Sequence, residues 1–167
     1  MDQEEIIRKF NLKPLPLEGG YFAETYRSEE SLKVGQLPPG YHTEKSYYTS
    51  IYYLLTHDTF SALHRLPTDE IFHFYLGDPV QMLNLFEDGT SSVITLGQDI
   101  FKGEKVQYRV PANTWQGARL LPQGRFALLG TTMAPGFDFG DFTPADRKTL
   151  SEHYPQHRNM IRSLTAE

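Results

Sequence analysis

The residues whose types could do chemistry near neutral pH crowd into one short run, His64-Arg65-Leu66-Pro67-Thr68-Asp69-Glu70-Ile71-Phe72-His73. Imidazole titrates near neutrality, and a carboxylate beside it orients the ring and raises its pKa. His64 with Glu70 is therefore a candidate base and orienting partner for proton transfer. Tyr53, Tyr52 or Tyr75 could serve as the opposing acid, depending on which of them faces inward. A histidine and a carboxylate can also pair simply to satisfy two buried polar groups.

Which side chains meet depends on strand register. If Pro67-Thr68-Asp69 is a three-residue hairpin loop, His64 and Glu70 share the inner face and His73 points away. If the loop is one residue longer, His64 faces His73, because a one-residue shift moves every side chain across the sheet.

Other chemistries fall away. There are no cysteines, which excludes disulfides, thiolate zinc sites and cysteine nucleophiles. Ser61 precedes His64 by three residues without a nucleophile elbow. Gly19-Gly20 after Glu18 reads as a tight turn into a strand, since no helix start follows to hold a phosphate. The formal net charge is −5 with no cluster of Lys and Arg, which argues against a nucleic-acid partner. No run reaches the roughly 18 apolar residues of a membrane-spanning helix. The acidic start Met1-Asp2-Gln3-Glu4-Glu5 is unlike a secretory signal, so a cytoplasmic location is expected. His42, His57, His153 and His157 fall in loop or terminal segments and are expected to be solvated. Trp115, the single tryptophan, could stack on a flat ligand or plug the core.

These residues must be held by a mostly-β scaffold. From residue 47 to 133 the periodicity is two, with strands predicted at 48–55, 60–66, 71–75, 80–86, 92–96, 106–110, 115–121 and 126–132. Another is predicted at 20–27. Turn chemistry separates them: Gly77-Asp78-Pro79, Glu87-Asp88-Gly89 and Pro122-Gln123-Gly124. Many short strands at near-even spacing indicate a sandwich, jelly roll or barrel. A short helix opens the chain, capped by Asp2 with Glu5 three residues on, and ends at Asn11 to Pro14. Thr143 as cap and Pro144 at the first helical position predict a helix near the end, with a second from Pro155. Residues 28–46 are polar and patternless, and read as a mobile flap, an arm on a partner subunit, or disorder. At 167 residues the chain is expected to be one domain, 1–167.

Two segments resemble the cupin motifs. The first motif is His, any residue, His, three or four residues, Glu, six residues, Gly; here His64, Glu70 and Gly77 match and Leu66 holds the second histidine position. In Val110-Pro111-Ala112-Asn113-Thr114-Trp115-Gln116 the second motif's frame is kept, with Asn113 for Gly and Gln116 for His. More closely, the chain resembles a cupin subfamily, DUF985 or Cupin_5, sometimes labelled predicted sugar epimerases. The matching segments include Glu18-Gly19-Gly20-Tyr21, Ser61-Ala62-Leu63-His64-Arg65, Asp69 to Pro79, and Ala134-Pro135-Gly136-Phe137.

The resemblance implies an all-β, double-stranded β-helix (a jelly-roll barrel) with short N- and C-terminal helices, and a homodimer. Cupin sites classically hold Mn, Fe, Ni or Zn through several imidazoles and one carboxylate. Here two of those four ligands are replaced, so neither a metal nor another cofactor is expected. The expected function is binding of a small molecule inside the barrel and, at its most specific, metal-independent isomerisation or epimerisation of a sugar or other carbonyl compound. His64 would be the base and Glu70 its orienting partner, with Tyr53, His73, Trp115 and Gln116 contacting substrate. The competing expectations are a non-catalytic metabolite-binding module and a metal-dependent cupin oxygenase.

Overall fold

Period-two alternation places one set of side chains on each side of a sheet, and here every such run becomes a strand of one of two sheets. The structure, a computed structural model, describes residues 2–166; Met1 and Glu167, the ends of the expected 1–167 domain, lie outside them. Nine longer strands form: β1 (Tyr21–Arg27), β2 (Thr49–Thr56), β3 (Ser61–Arg65), β4 (Glu70–Gly77), β5 (Val80–Leu85), β6 (Ser91–Leu96), β7 (Gln107–Val110), β8 (Trp115–Leu120) and β9 (Phe126–Met133). One sheet runs in the order Lys13–Pro14, β1, β2, β9, β4, β7; the facing sheet runs Thr143–Pro144, β3, β8, β5, β6. All these pairings are antiparallel, and the two facing sheets make the expected all-β jelly roll.

The main core lies between the sheets, built from Leu55, Phe72, Phe74, Val80, Met82, Leu96, Leu120 and Leu129 among others. Helices close both outer faces. Helix α1 (Gln3–Phe10) starts with the predicted capping box on Asp2 and Glu5, ends at Asn11 in the left-handed region, and lays Ile6 against Leu54, Phe126 and Leu128. Helices α2 (Arg147–His153) and α3 (Arg158–Ser163) cover the other sheet through Leu150, Ile161 and the nearby Leu164 against Leu63, Leu83 and Leu85.

Three local expectations need correction. First, β3 and β4 are not a hairpin: they lie in different sheets, and residues 66–69 cross between them. That crossing is pinned from outside, by Asn113 N–H on the Leu66 carbonyl (2.8 Å), Ala112 N–H on Asp69 (2.8 Å) and the Arg109–Asp69 ion pair (2.9 Å). Neither hairpin register therefore applies. Second, Thr143–Pro144 add a short strand to β3, and the cap of α2 is Asp146, whose carboxylate accepts from Thr149 N–H at 2.7 Å. Third, residues 28–46 pack on their own chain. Tyr41 is buried, bonded through its hydroxyl to Thr68 and Pro67, and Lys45 is buried between Asp138 (3.0 Å) and Asp141 (2.7 Å).

Candidate functional site

At one end of the barrel the inward positions turn from apolar to polar. Across the second sheet, His64, Gln116, Asn84 and Ser92 are successive register partners on β3, β8, β5 and β6. His64, Gln116 and Asn84 are each no more than 2% exposed. Across the first sheet, Thr49, Met133, Glu70 and Val110 form the facing row on β2, β9, β4 and β7. Burying this many polar groups costs free energy unless they are partnered, so their bonds carry information.

Glu70 is 7% exposed, and the Gln116 side-chain amide donates to its Oε2 at 2.6 Å. Burial, then the charge of Glu18, push its carboxyl up to about 7; His64 and bonds from Gln116 and Thr131 oppose the shift. His64 has a different anchor from the one expected. Its Nδ1–H donates to the Ala62 carbonyl at 2.7 Å, and its ring stacks on Phe142 at 4.7 Å between centroids. The orienting group is thus a backbone carbonyl and not Glu70. With Nδ1 so used, Nε2 is left as an acceptor, and it is buried without a hydrogen-bond partner.

The group nearest that nitrogen is Glu18, whose Oε2 lies 3.9 Å from it. At 3.9 Å the two are not hydrogen-bonded, and what the contact gives Glu18 is a place in the candidate site. Glu18 carried no such expectation, because in the sequence it precedes a Gly-Gly turn with no periodicity to give it a face. The fold fixes it from both ends. Its carbonyl accepts from Ala62 N–H (2.8 Å), and its Oε1 accepts from the Ser61 hydroxyl (2.7 Å). Gly19 follows at φ 96°, and a Cβ there would sit 2.5 Å from the Phe60 carbonyl oxygen, so only glycine lets the turn lie this close to the strand. The only sequence signal for Glu18 was its place in the family-like segment Glu18-Gly19-Gly20-Tyr21.

Between the rows lies a cavity of about 90 Å³. Glu18, Glu24, Glu70 and Asp138 line it, with Arg27, Thr49, Thr131, Leu66 and Phe137. Arg27 is the one cation in that wall, and it is bonded to both oxygens of Glu24 (3.0 and 2.8 Å) and to the Phe137 carbonyl (2.8 Å). His64 and Gln116 stand behind this wall, one layer away from anything bound there.

The other predicted residues separate. Tyr53 faces inward, 1% exposed, and donates its hydroxyl to the Gly19 carbonyl at 2.9 Å; burial raises its phenol well above the usual value. Thus it braces the Glu18 turn. His73, expected to touch substrate, sits on the opposite, outer face of β4. There it stacks on Tyr75, lies 3.3 Å from both Thr132 and Gln107, and is lowered in pKa by partial burial. Tyr52 and Tyr75 share that outer face, edge to face at 6.0 Å, and cannot oppose a base inside the barrel. Trp115 also points outward, because Gln116 takes the inward position on β8. It packs with the α2–α3 layer under the Arg65 guanidinium, 4.8 Å from the ring centre. Trp115 is part of the outer core and not a substrate wall.

The metal that cupin resemblance implies does not fit these residues. Leu66 lines the cavity where the second histidine would stand, and Gln116 spends its amide on Glu70. Among the described residues no three His, Cys, Asp or Glu side chains are grouped as a metal site. Asn113, in the glycine position of the second motif, has φ 62°, a conformation that asparagine tolerates better than most side chains. The backbone frame of the motif therefore survives while its ligands do not. Gly77, the last residue of the first motif, has φ 109°, and a Cβ would meet the Phe126 carbonyl oxygen at 2.4 Å.

Known proteins share the fold that holds these residues. A family profile described as Cupin superfamily (DUF985) matches residues 4–145. The uncharacterized protein YML079W of Saccharomyces cerevisiae is 34% identical over 134 residues, covering 75% of this chain and 67% of that protein. A hypothetical protein from Leishmania major superposes with a TM-score of 0.88 at 30% identity, covering 100% of both chains. Protein SO0799 from Shewanella oneidensis gives 0.86 at 30% identity, covering 99% of this chain and 98% of its own. The oxalate decarboxylase of Bacillus subtilis, a protein with Mn(II) centers, shares the fold alone: TM-score 0.54 at 16% identity over 93% of this chain and 38% of that one. No helix of the described residues is long and apolar enough to cross a membrane.

Proposed function

This chain belongs to the cupin superfamily, in the family described as DUF985, and from that premise we propose that it moves a proton on a small carbonyl compound held in the barrel, as an isomerase or epimerase without a resident metal. The observation that carries this reading is Glu70, a carboxyl buried in the cavity wall whose pKa is raised to about 7. A base works best when its pKa is near the working pH, and buried carboxylates are tuned in this way.

In this reading Glu70, as carboxylate, takes the proton from the carbon next to the carbonyl, and the electron pair of that bond moves onto the carbonyl oxygen. The Thr49 and Thr131 hydroxyls, the neutral donors of the wall, would hydrogen-bond the oxyanion so formed. The proton held by Glu70 returns to the same carbon after the bound enolate turns its other face to the carboxyl, or to the neighbouring carbon as a proton passes from one substrate oxygen to the other. Either return completes the cycle with no net change in atoms or electrons. Glu70 is the catalytic residue; Glu18, beside it in the wall, raises its pKa, and His64, a layer behind, is a positioning residue that opposes that shift. The role of base moves from His64 to Glu70 because Glu70 lines the cavity and His64 does not.

The test is incubation with short aldoses and ketoses in D2O, with NMR detection of deuterium entering the carbon next to the carbonyl. Wild-type exchange abolished by Glu70→Gln supports the reading. Stoichiometric binding of such a compound with no exchange would replace it by the metabolite-binding module.

Self-association is the second proposal. Tyr26 and Tyr48 stack at 4.9 Å on the outer side of the first sheet, both more than 40% exposed, and Tyr75 is exposed on the same side. Covering that aromatic face with a second copy removes an aggregation hazard. Light scattering at micromolar concentration should give twice the chain mass; a monomer there excludes the dimer.

A further inference from the structure

The charges and hydrogen-bonding groups of the barrel cavity define what can enter it. Glu18, Glu24, Glu70 and Asp138 stand against the single Arg27 in its wall. That guanidinium is already committed. It is bidentate on Glu24, bonded to the Phe137 carbonyl and Ser46 hydroxyl, and 3.8 Å from Asp138. Lys45, the other cation close by, is buried between Asp138 and Asp141. An incoming phosphate or carboxylate would find no free cation and several carboxylates. Half of the wall is apolar, Leu15, Phe22, Ile51 and Met133 included, and its polar half is rich in acceptors, with the Thr49 and Thr131 hydroxyls as its neutral side-chain donors.

Size narrows the class further. A water takes about 30 Å³ of liquid, so a cavity of about 90 Å³ admits only the end of a short chain. Beyond the cavity, Leu66 and Asp138 also line an open groove beside residues 40–45, with Arg65 and Asn113 along it, where the outer part of a longer compound can lie in solvent.

We infer that the ligand end entering the barrel is a short chain rich in O–H or N–H donors that carries no anionic group, as in an unphosphorylated triose, tetrose or amino-polyol. This rests on the barrel cavity being the ligand site proposed above, and it excludes phosphorylated, carboxylated or nucleotide-linked ends from the interior. Family membership alone does not lead to this class: the fold neighbour named for oxalate is named for a dianion, and the present cavity has the wrong charge for one.

Matched probes test it by isothermal calorimetry and thermal shift on the full chain: dihydroxyacetone, erythrulose and serinol against dihydroxyacetone phosphate, glycerate and inorganic phosphate. The expected result is binding of at least one neutral or amino probe, with its anionic counterpart at least about tenfold weaker, since one like charge a few ångströms away costs more than that at intermediate dielectric. Glu24→Gln, which removes one negative charge and the bidentate partner of Arg27, should raise the affinity for dihydroxyacetone phosphate relative to dihydroxyacetone by about tenfold. Equal or tighter binding of the anions to the wild type, or no binding of any neutral or amino probe at tens of millimolar, overturns the inference. Binding of a neutral probe without deuterium exchange refutes proton transfer and leaves the ligand class standing, so the two failures are distinguishable.

Discussion

The two ends of the barrel are built from the same strands, yet they bury opposite kinds of group. At the closed end, Leu55 and Ala127 of the first sheet face Val80, Met82, Ala118 and Leu120 of the second, and of these only Leu120, at 7%, is more than 1% exposed. At the open end, the same alternation delivers Thr49, Glu70, Thr131, His64, Gln116 and Asn84 to the interior. A jelly roll needs only one packed end to hold its sheets together, and buried polar groups without full partners cost stability. The closed end therefore carries the fold, and the open end is free to hold a strained set of titratable groups. His64 Nε2 and Asn84 Oδ1, the buried side-chain atoms left without partners among the described residues, both lie at the open end. The contrast predicts that mutations at the open end change chemistry and mutations at the closed end change stability.

The largest effect should come from Glu70→Gln. The amide keeps the size of the carboxyl and can still accept from Gln116, but it cannot take a proton. Deuterium exchange into a bound carbonyl compound should fall by ~10²–10⁴, the usual contribution of a positioned acid or base, while the melting temperature at pH 8 stays the same or rises. Full exchange in Glu70→Gln would end the assignment of roles. His64→Gln, by contrast, should keep measurable turnover and move the pH profile of exchange upward, since His64 holds the Glu70 pKa down from behind the wall.

The matching change at the closed end is Leu55→Ala. Leu55 is fully buried on β2 opposite Ala127 of β9, and truncating such a leucine costs ~2–5 kcal/mol. Denaturant unfolding should show that loss, with exchange per folded molecule unchanged. An equal fall in both would mean that the two ends are not separable.

The pH dependence sharpens the contrast further. The Glu70 carboxyl rises from 4.5 unfolded to about 7 folded. The folded state therefore holds the proton more tightly, and the stability this contributes is complete below about pH 4.5 and lost as pH rises through 7. At 1.36 kcal/mol per unit, the shift of 2.5 units (7 − 4.5) amounts to at most ~3 kcal/mol. Between pH 5 and 8 the wild type should lose up to that much relative to Glu70→Gln. Exchange catalysis, which needs the carboxylate, should rise over the same interval. Parallel pH profiles for activity and stability would contradict Glu70 as the base.

How much of this was legible in the sequence follows the same division. Strand positions, turns and the first helix could be read because alternation and capping are local, and Asp2, Glu5 and Asn11 do what their types suggest. His64 and Glu70 were singled out by the motif spacing, but the hairpin used to align them does not exist. Residues 66–69 cross between sheets, which no local pattern announces. Trp115 and His73 were misplaced for a related reason: inward and outward are set by partner sheets, and β8 turns Gln116 inward and Trp115 outward. Glu18 was invisible as chemistry because a turn residue has no face until the strand it leans on, β3, is in place.

The smallest effect concerns how the open end keeps its shape. Residues 28–46 form one side of the groove beside the cavity, and their hold on the barrel includes Tyr41, whose hydroxyl bonds Thr68 and the Pro67 carbonyl. Tyr41→Phe removes those bonds and keeps the ring, so the loss should be ~1 kcal/mol, the net worth of a typical hydrogen bond. Because Pro67 and Thr68 belong to the crossing that leads into Glu70, loosening them should relax the mouth and not the barrel. Affinity for a neutral probe should weaken a few-fold, with exchange from the bound complex nearly unchanged. The measurement is KM against kcat in the deuterium assay. A fall in kcat with KM constant would mean that the segment positions Glu70 itself, and the boundary between scaffold and site would then have to be drawn to include residues 66–69.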